Sequence, residues 1–228
     1  MNKLLKIGLV LGAIGLITIG TVFLIPWGNA KSEVERTTAN EPVNKIKVSE
    51  DVVLNDITEV QGTFISQNNQ DKVTSEIMFH VAGPQDATGS FKKFTIELNA
   101  FKDYQKSSIN VVIDPMSVYT ANGMRDESIK GEGFFEAEVF PKIKFYSDSI
   151  IISDTSYAAV GFLSMLGVEK SLEINFLYKG KAQNEEGNEI VIFEGAFNMD
   201  RTNFGMKETK GIGNIVEVTF YTELVIQP

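Results

Sequence analysis

The stretch "NIVEVTFYTELVI" (Asn214–Ile226) decides how the rest of the chain is read. Two alternating sets of residues run through it. Val216, Val218, Phe220, Thr222, Leu224 and Ile226 are nearly all apolar, while Ile215, Glu217, Thr219, Tyr221, Glu223 and Val225 are mixed. In an extended chain, successive side chains point to opposite faces. The pattern therefore predicts a strand with one face on a core. Its β-branched and aromatic content suits a pleated, half-buried surface.

Working outward, the same alternation recurs. In "SLEINFLYKG", Leu172, Ile174, Phe176 and Tyr178 oppose Glu173, Asn175, Leu177 and Lys179. In "IVIFEGAFNMD", Val191, Phe193, Gly195, Phe197 and Met199 form the apolar set, and in "VTSEIMFHVAG" Ser75, Ile77, Phe79 and Val81 do. Further runs are "KKFTIEL", "SSINVVI", "KIKFYSDSIII" and "YAAVGFLSM". That makes about eight strands, separated by turn chemistry such as "GPQDATG", "EEGN" and "TNFG". The short spacing suits hairpins rather than helical crossovers. A sheet of this size with one apolar face folds over itself or closes. The expected fold is all-β, an antiparallel barrel of about eight strands. The best helix candidate, Asn122–Gly131, is short enough to be a connector.

Fifteen of the sixteen phenylalanines follow residue 57. Phe79, Phe145, Phe176, Phe193, Phe197 and Phe220 fall on the apolar sets, with Val218 among them. An eight-stranded interior can be filled by side chains or hold one ligand. Alternation leaves both readings open, because an apolar inner face looks the same full or hollow.

The first thirty residues differ. "MNKLLK" is basic, and the nineteen uncharged residues Ile7–Ile25 follow. As a helix they would span roughly 28 Å, close to the hydrocarbon thickness of a bilayer. A cleaved signal would use Pro26 as breaker and Gly28–Ala30 as cleavage site; an uncleaved anchor would keep the helix. The run exceeds the roughly 7–15 residues of a signal core, which favours the anchor. Either way Lys3 and Lys6 stay cytoplasmic and the chain beyond Trp27 crosses the membrane, placing the domain in the envelope or periplasm. Gly8 and Gly12 have the spacing of a helix-dimer face, so a homodimer and a chance repeat are both open. The expected organisation is 1–30 anchor or signal, 31–57 polar linker with a short strand at Val52–Leu54, and 58–228 barrel.

Composition excludes several classes. The chain of 228 residues has no cysteine, hence no disulfide, thiol nucleophile or thiolate metal site. Its net charge of −9, without a basic run longer than Lys92-Lys93, argues against nucleic acid. His80 is the only histidine and its parity points outward, so a Ser/His/Asp arrangement has little to build on. The acids of "EAE" (Glu136–Glu138) and "NEEGNE" (Asn184–Glu189) lack calcium-loop spacing, so no metal is expected. No glycine-rich loop precedes a helix. The protein is not expected to be an enzyme. Arg125 and Arg201 flank turns at strand ends. They either hold a polar head group at a barrel mouth, or pair with Asp126 and Asp200 and cap the loops.

Ordered elements along the chain resemble the YceI-like family. They are Arg125-Asp126, Phe134-Phe135-Glu136, Phe140-Pro141-Lys142-Ile143-Lys144-Phe145, Gly161 to Lys170, and Arg201-Thr202-Asn203-Phe204-Gly205. The resemblance covers Thr58 to Ile226. It implies a lipocalin-like barrel with a long apolar channel that binds a polyisoprenoid, such as a prenyl-quinone-type lipid, in the bacterial cell envelope. It implies that Phe79, Phe145, Phe176, Phe193, Phe197, Val218 and Phe220 line the channel, with Phe134, Phe135, Phe140, Arg125 and Arg201 at its mouth. One departure stands out: members often carry a histidine shortly after the phenylalanine of the first strand, where this chain has Gly83. The alternative is a filled barrel acting as an envelope protein–protein interaction module, with Ile215, Tyr221 and Val225 as its outer patch.

Overall fold

The computed structural model describes residues 55–68, 73–153 and 156–228. The anchor or signal, the polar linker up to residue 54 and the strand expected at Val52–Leu54 lie outside them. No helix among the described residues is long and apolar enough to cross a membrane. The strands are β1 (Gly62–Ser66), β2 (Ser75–Val81), β3 (Ala87–Phe91), β4 (Phe94–Ala100), β5 (Ser108–Ile113), β6 (Val118–Tyr119), β7 (Ile143–Ser153), β8 (Ser156–Met165), β9 (Val168–Gln183), β10 (Glu189–Asp200) and β11 (Ile215–Ile226). Among the described residues one α-helix, α1 (Gly123–Lys130), precedes β7.

The pairing registers resolve these eleven segments into eight antiparallel strands. β11 pairs β10 along one whole edge, from Ile190↔Val225 to Asp200↔Ile215. Its other edge is shared: β2 takes Val216 to Thr222 and β1 takes Leu224 to Ile226. β1 and β2 are thus halves of one interrupted strand. Next to them, β4 pairs β1 while β3 pairs β2. Beyond those, β5 pairs β4 and β6 pairs β3. β5 to β7, β8, β9 and β10 then complete a closed ring. Closure removes free sheet edges.

Side chains hold the interruptions. At the β1–β2 break, Asn68 Oδ1 accepts from the N–H groups of Thr74 and Ser75 at 3.1 and 3.0 Å, and Nδ2 donates to Ser75 O at 2.8 Å. At the β5–β6 break, Pro115 has no N–H to donate to a ladder, and Asp114 Oδ1 takes the Met116 N–H at 2.9 Å.

One end of the barrel is filled. The inward-facing Phe64, Tyr157, Tyr178 and Val191 are all buried there. A 3-10 turn, Ile57–Glu59, closes over them. Asp56 caps it by accepting the Thr58 N–H at 2.9 Å. Tyr157 Oη accepts from Ile57 N–H and donates to Asn55 O, each at 3.0 Å. Ile57 and Val60 are 3% and 0% exposed. The boundary expected at residue 58 therefore moves back to include Asn55–Ile57. No apolar period marks so short a segment, because a plug needs only two buried side chains.

Candidate functional site

The rest of the interior is hollow. A cavity of about 730 Å³ runs from Ile57 to the opposite end of the barrel. The packed-or-hollow question has a divided answer: a full layer at one end, a cavity above it. Near the floor the wall is buried Leu98, Ile150, Phe176 and Leu224. At the other end lie exposed lining residues, Pro84, Gln85, Asp86, Asn122 and Met124, so the cavity opens there.

All seven residues assigned to the lining, Phe79, Phe145, Phe176, Phe193, Phe197, Val218 and Phe220, face this cavity. Four of the five assigned to the mouth, Phe134, Phe135, Arg125 and Arg201, also reach it. Phe140 does not. Its ring lies against Gly167 in the β8–β9 turn, where a Cβ would approach Phe140 Cε1 at 3.2 Å. The left-handed Gly133 and Glu136 bend the segment after α1 and separate Phe140 from Phe134 and Phe135.

The helix is more than a connector. Asn122 Oδ1 caps it by accepting the Arg125 N–H at 3.1 Å. Asp126, buried at 8% exposure, accepts from Thr120 N–H and Oγ1 at 2.8 and 2.6 Å. These bonds lay α1 over the barrel end, and Ser128 and Ile129 join Met124 and Arg125 in the cavity wall. Phe79, Phe91 and Phe135 continue the wall into this cover through ring contacts of 5.6 Å each.

The two arginines part company. Arg201 is 2% exposed. Its Nε donates to Gly213 O at 2.9 Å, Nη1 to Lys207 O at 2.6 Å and Nη2 to Asn214 Oδ1 at 3.4 Å. Its guanidinium also lies 5.8 Å from the Phe134 ring centroid. Burial lowers its pKa, while the charges of Asp200 and Glu208 hold it up. Arg201 thus ties the β10–β11 loop to the cover. Asp200 turns to Thr202, accepting from its N–H at 2.9 Å and its Oγ1 at 2.6 Å. Arg125 is half-buried at the mouth, where exposed Asp86 also lines the cavity.

At the mouth, two loops lock together. Gly213 N–H donates to Ala82 O at 2.8 Å and Gln85 N–H to Gly211 O at 2.9 Å. Gly83 has φ +148°, and a Cβ there would stand 2.6 Å from Gly211 O. A histidine at Gly83 would not fit this contact. His80 lies on the outer face, with Nδ1 3.0 Å from Thr88 Oγ1.

The outer patch expected from Ile215, Tyr221 and Val225 is not continuous. Ile215 is 54% exposed, but Tyr221 and Val225 are buried with Ile190 and Ile192 in a second apolar cluster. Alternation assigned these residues to the outside correctly but says nothing about what packs on that face. Sequence reading missed Ile57 at the floor and Met124 and Gln85 at the mouth. The Asp56-x-Thr58 cap was the one available signal for the first.

The YceI-like domain family matches residues 69–224. A UPF0312 protein of Pseudomonas savastanoi pv. phaseolicola is 29% identical over 122 residues, 52% of this chain and 63% of that protein. A UPF0312 protein of Yersinia pestis is 27% identical over 125 residues, 54% of this chain and 65% of that protein. The matched region spans less than two thirds of the length of these relatives. Among solved structures, BcnA of Burkholderia cenocepacia superposes with a TM-score of 0.57 at 22% identity, covering 67% of this chain and 96% of its own. A polyisoprenoid binding domain from Saccharophagus degradans superposes with a TM-score of 0.53 at 12% identity, covering 74% and 100%. At these identities the likeness is one of fold.

Proposed function

The chain belongs to the YceI-like family, and we propose that it binds a polyisoprenoid or similar amphiphilic lipid in its barrel cavity, without catalysis, in the bacterial cell envelope. The observation that carries this reading is the apolar cavity, closed at Ile57 and open beside α1. Its 730 Å³ lies within the roughly 300–1,000 Å³ of small-molecule pockets. Its aliphatic and aromatic walls offer water few partners. A hydrocarbon chain suits such walls, gaining ~0.8 kcal/mol per buried methylene, or about 4 kcal/mol per five-carbon unit.

The mouth suits the polar end of such a lipid. Arg125 is the cation placed to meet a head group, because the donors of Arg201 are engaged by the loop. The apolar segment Ile7–Ile25 supports an envelope location, with the barrel tethered near its lipid source or released by cleavage near Ala30. The test is to purify the full chain from a bacterial host, extract it with organic solvent and analyse the extract by mass spectrometry. A stoichiometric isoprenoid or other long-chain amphiphile is expected. A lipid-free protein that also takes up no added prenyl quinone overturns the reading.

A further inference from the structure

We propose that Ile57 is the end-stop that sets the longest chain the cavity accepts. The inference rests on the lipid-binding reading and adds to it a specificity-determining residue. With the mouth at the α1 end and a packed layer at the other, a chain entering tail-first stops at the floor. Ile57 is the floor residue that comes from outside the barrel strands. It enters from the 3-10 turn before β1, and its side chain completes the cavity wall.

The turn is held in place, as a length stop requires. Tyr157 Oη grips it twice, accepting from Ile57 N–H and donating to Asn55 O. Tyr178 Oη donates to Glu59 Oε1 at 2.7 Å, and Asn55 Nδ2 donates to Tyr178 O at 3.2 Å. Both rings sit in the packed layer: Tyr157 stacks on Phe176 at 5.9 Å and Tyr178 tilts against Phe193 at 5.3 Å. Phe176 and Phe193 line the cavity, so the rings that support the stop back the wall that the chain would touch.

This geometry has a distinct consequence for affinity. While a chain is shorter than the cavity, each added methylene is buried. Affinity then rises roughly four-fold per methylene, from ~0.8 kcal/mol against 1.4 kcal/mol per decade. Once the tail meets Ile57, further carbons stay at the mouth and the rise stops. Ile57→Ala removes three carbons from the floor and extends the rise by about that many methylenes.

The experiment uses the full chain in lipid nanodiscs, with empty discs as the blank, and an equimolar ladder of linear alcohols differing by one methylene. Mass spectrometry reads the retained distribution. Wild type should retain up to a limiting length, and Ile57→Ala should move that limit outward, with circular dichroism reporting an intact fold. Tyr157→Phe keeps the ring but releases the turn, and should raise retention of chains beyond the wild-type limit several-fold. A limit unmoved in both variants overturns the end-stop while leaving lipid binding standing. Retention of no alcohol at any length overturns both.

Discussion

Gly195 of β10 and Phe220 of β11 face each other across the ladder, and the Phe220 ring lies over the bare glycine. A Cβ at 195 would overlap Phe220 Cζ and Cε1 and come within 2.6 Å of Asn175 O on β9. Because Phe220 lines the cavity, a missing methyl group on one strand helps set the space available on the next. Gly89 does the same for Phe79, whose Cζ stands 2.5 Å from where a Cβ would be. Glycines here shape a binding wall rather than a turn.

Gly195→Val should therefore push the Phe220 ring into the cavity. Overpacking of this kind costs about 1–3 kcal/mol. Urea unfolding should report that loss, and lipid bound per protein should fall with it. Full lipid occupancy at wild-type stability would contradict the role given to the glycine.

The two arginines should separate in mutagenesis. Arg201→Met strips donors from Gly213 O and Lys207 O; Lys207 O keeps the Thr209 Oγ1 donor at 3.2 Å, so the loss is about 1–3 kcal/mol, centred on the part-buried Gly213 carbonyl. Arg125→Met should stay within about 0.5 kcal/mol of wild type in stability. Its effect should appear in binding: an amphiphile with a carboxylate or phosphate head loses roughly ten- to hundred-fold, from the ~1.5–3 kcal/mol of a charge-assisted bond. An alcohol of equal chain length should bind both proteins alike. Denaturant unfolding and competition binding read the two effects.

Asp126→Ala should loosen the cover. It removes the carboxylate that accepts both Thr120 donors, leaving a buried N–H unpaired for about 1–3 kcal/mol. Since α1 flanks the mouth, lipid should leave faster while the chain-length limit, set at the far end, stays put. Stopped-flow release of a fluorescent lipid would measure the first, and the alcohol ladder the second.

The floor should also respond to alkali. Burial is the main cause holding the Tyr178 phenol well above its usual pKa of 10.0, and its bond to Glu59 adds to it. The folded state thus keeps the proton longer than the unfolded chain does. The associated stability is complete below about pH 10 and is lost as the pH rises above it toward the folded value. Thermal melts should show wild type declining in that range more steeply than Tyr178→Phe, which has no proton to lose. Parallel declines would show that Tyr178 does not link the floor to pH.

The strands themselves were legible from residue order. Period-two alternation depends only on which neighbours are apolar: Ile143 and Phe145 line the cavity while Lys142 and Lys144 are exposed. The Asn122 cap likewise marked α1 locally. The seven lining residues follow from the same parity, since facing inward is a local property of an extended chain.

What lies at each height along the barrel axis was decided only by tertiary structure. Tyr178 and Phe176 share a parity in β9, yet Tyr178 belongs to the packed floor and Phe176 to the cavity wall. The difference arises from register against β8 and β10 and from a turn at Ile57 more than a hundred residues away. Arg125 and Arg201 also look alike in sequence. One opens onto the mouth and the other is enclosed by backbone carbonyls, because the β10–β11 loop, pinned by the Gly213 N–H to Ala82 O bond, folds Gly213 and Lys207 around the second. Alternation fixes the direction of a side chain within a strand; whether it meets another side chain, a loop or empty space depends on strands that are distant in sequence.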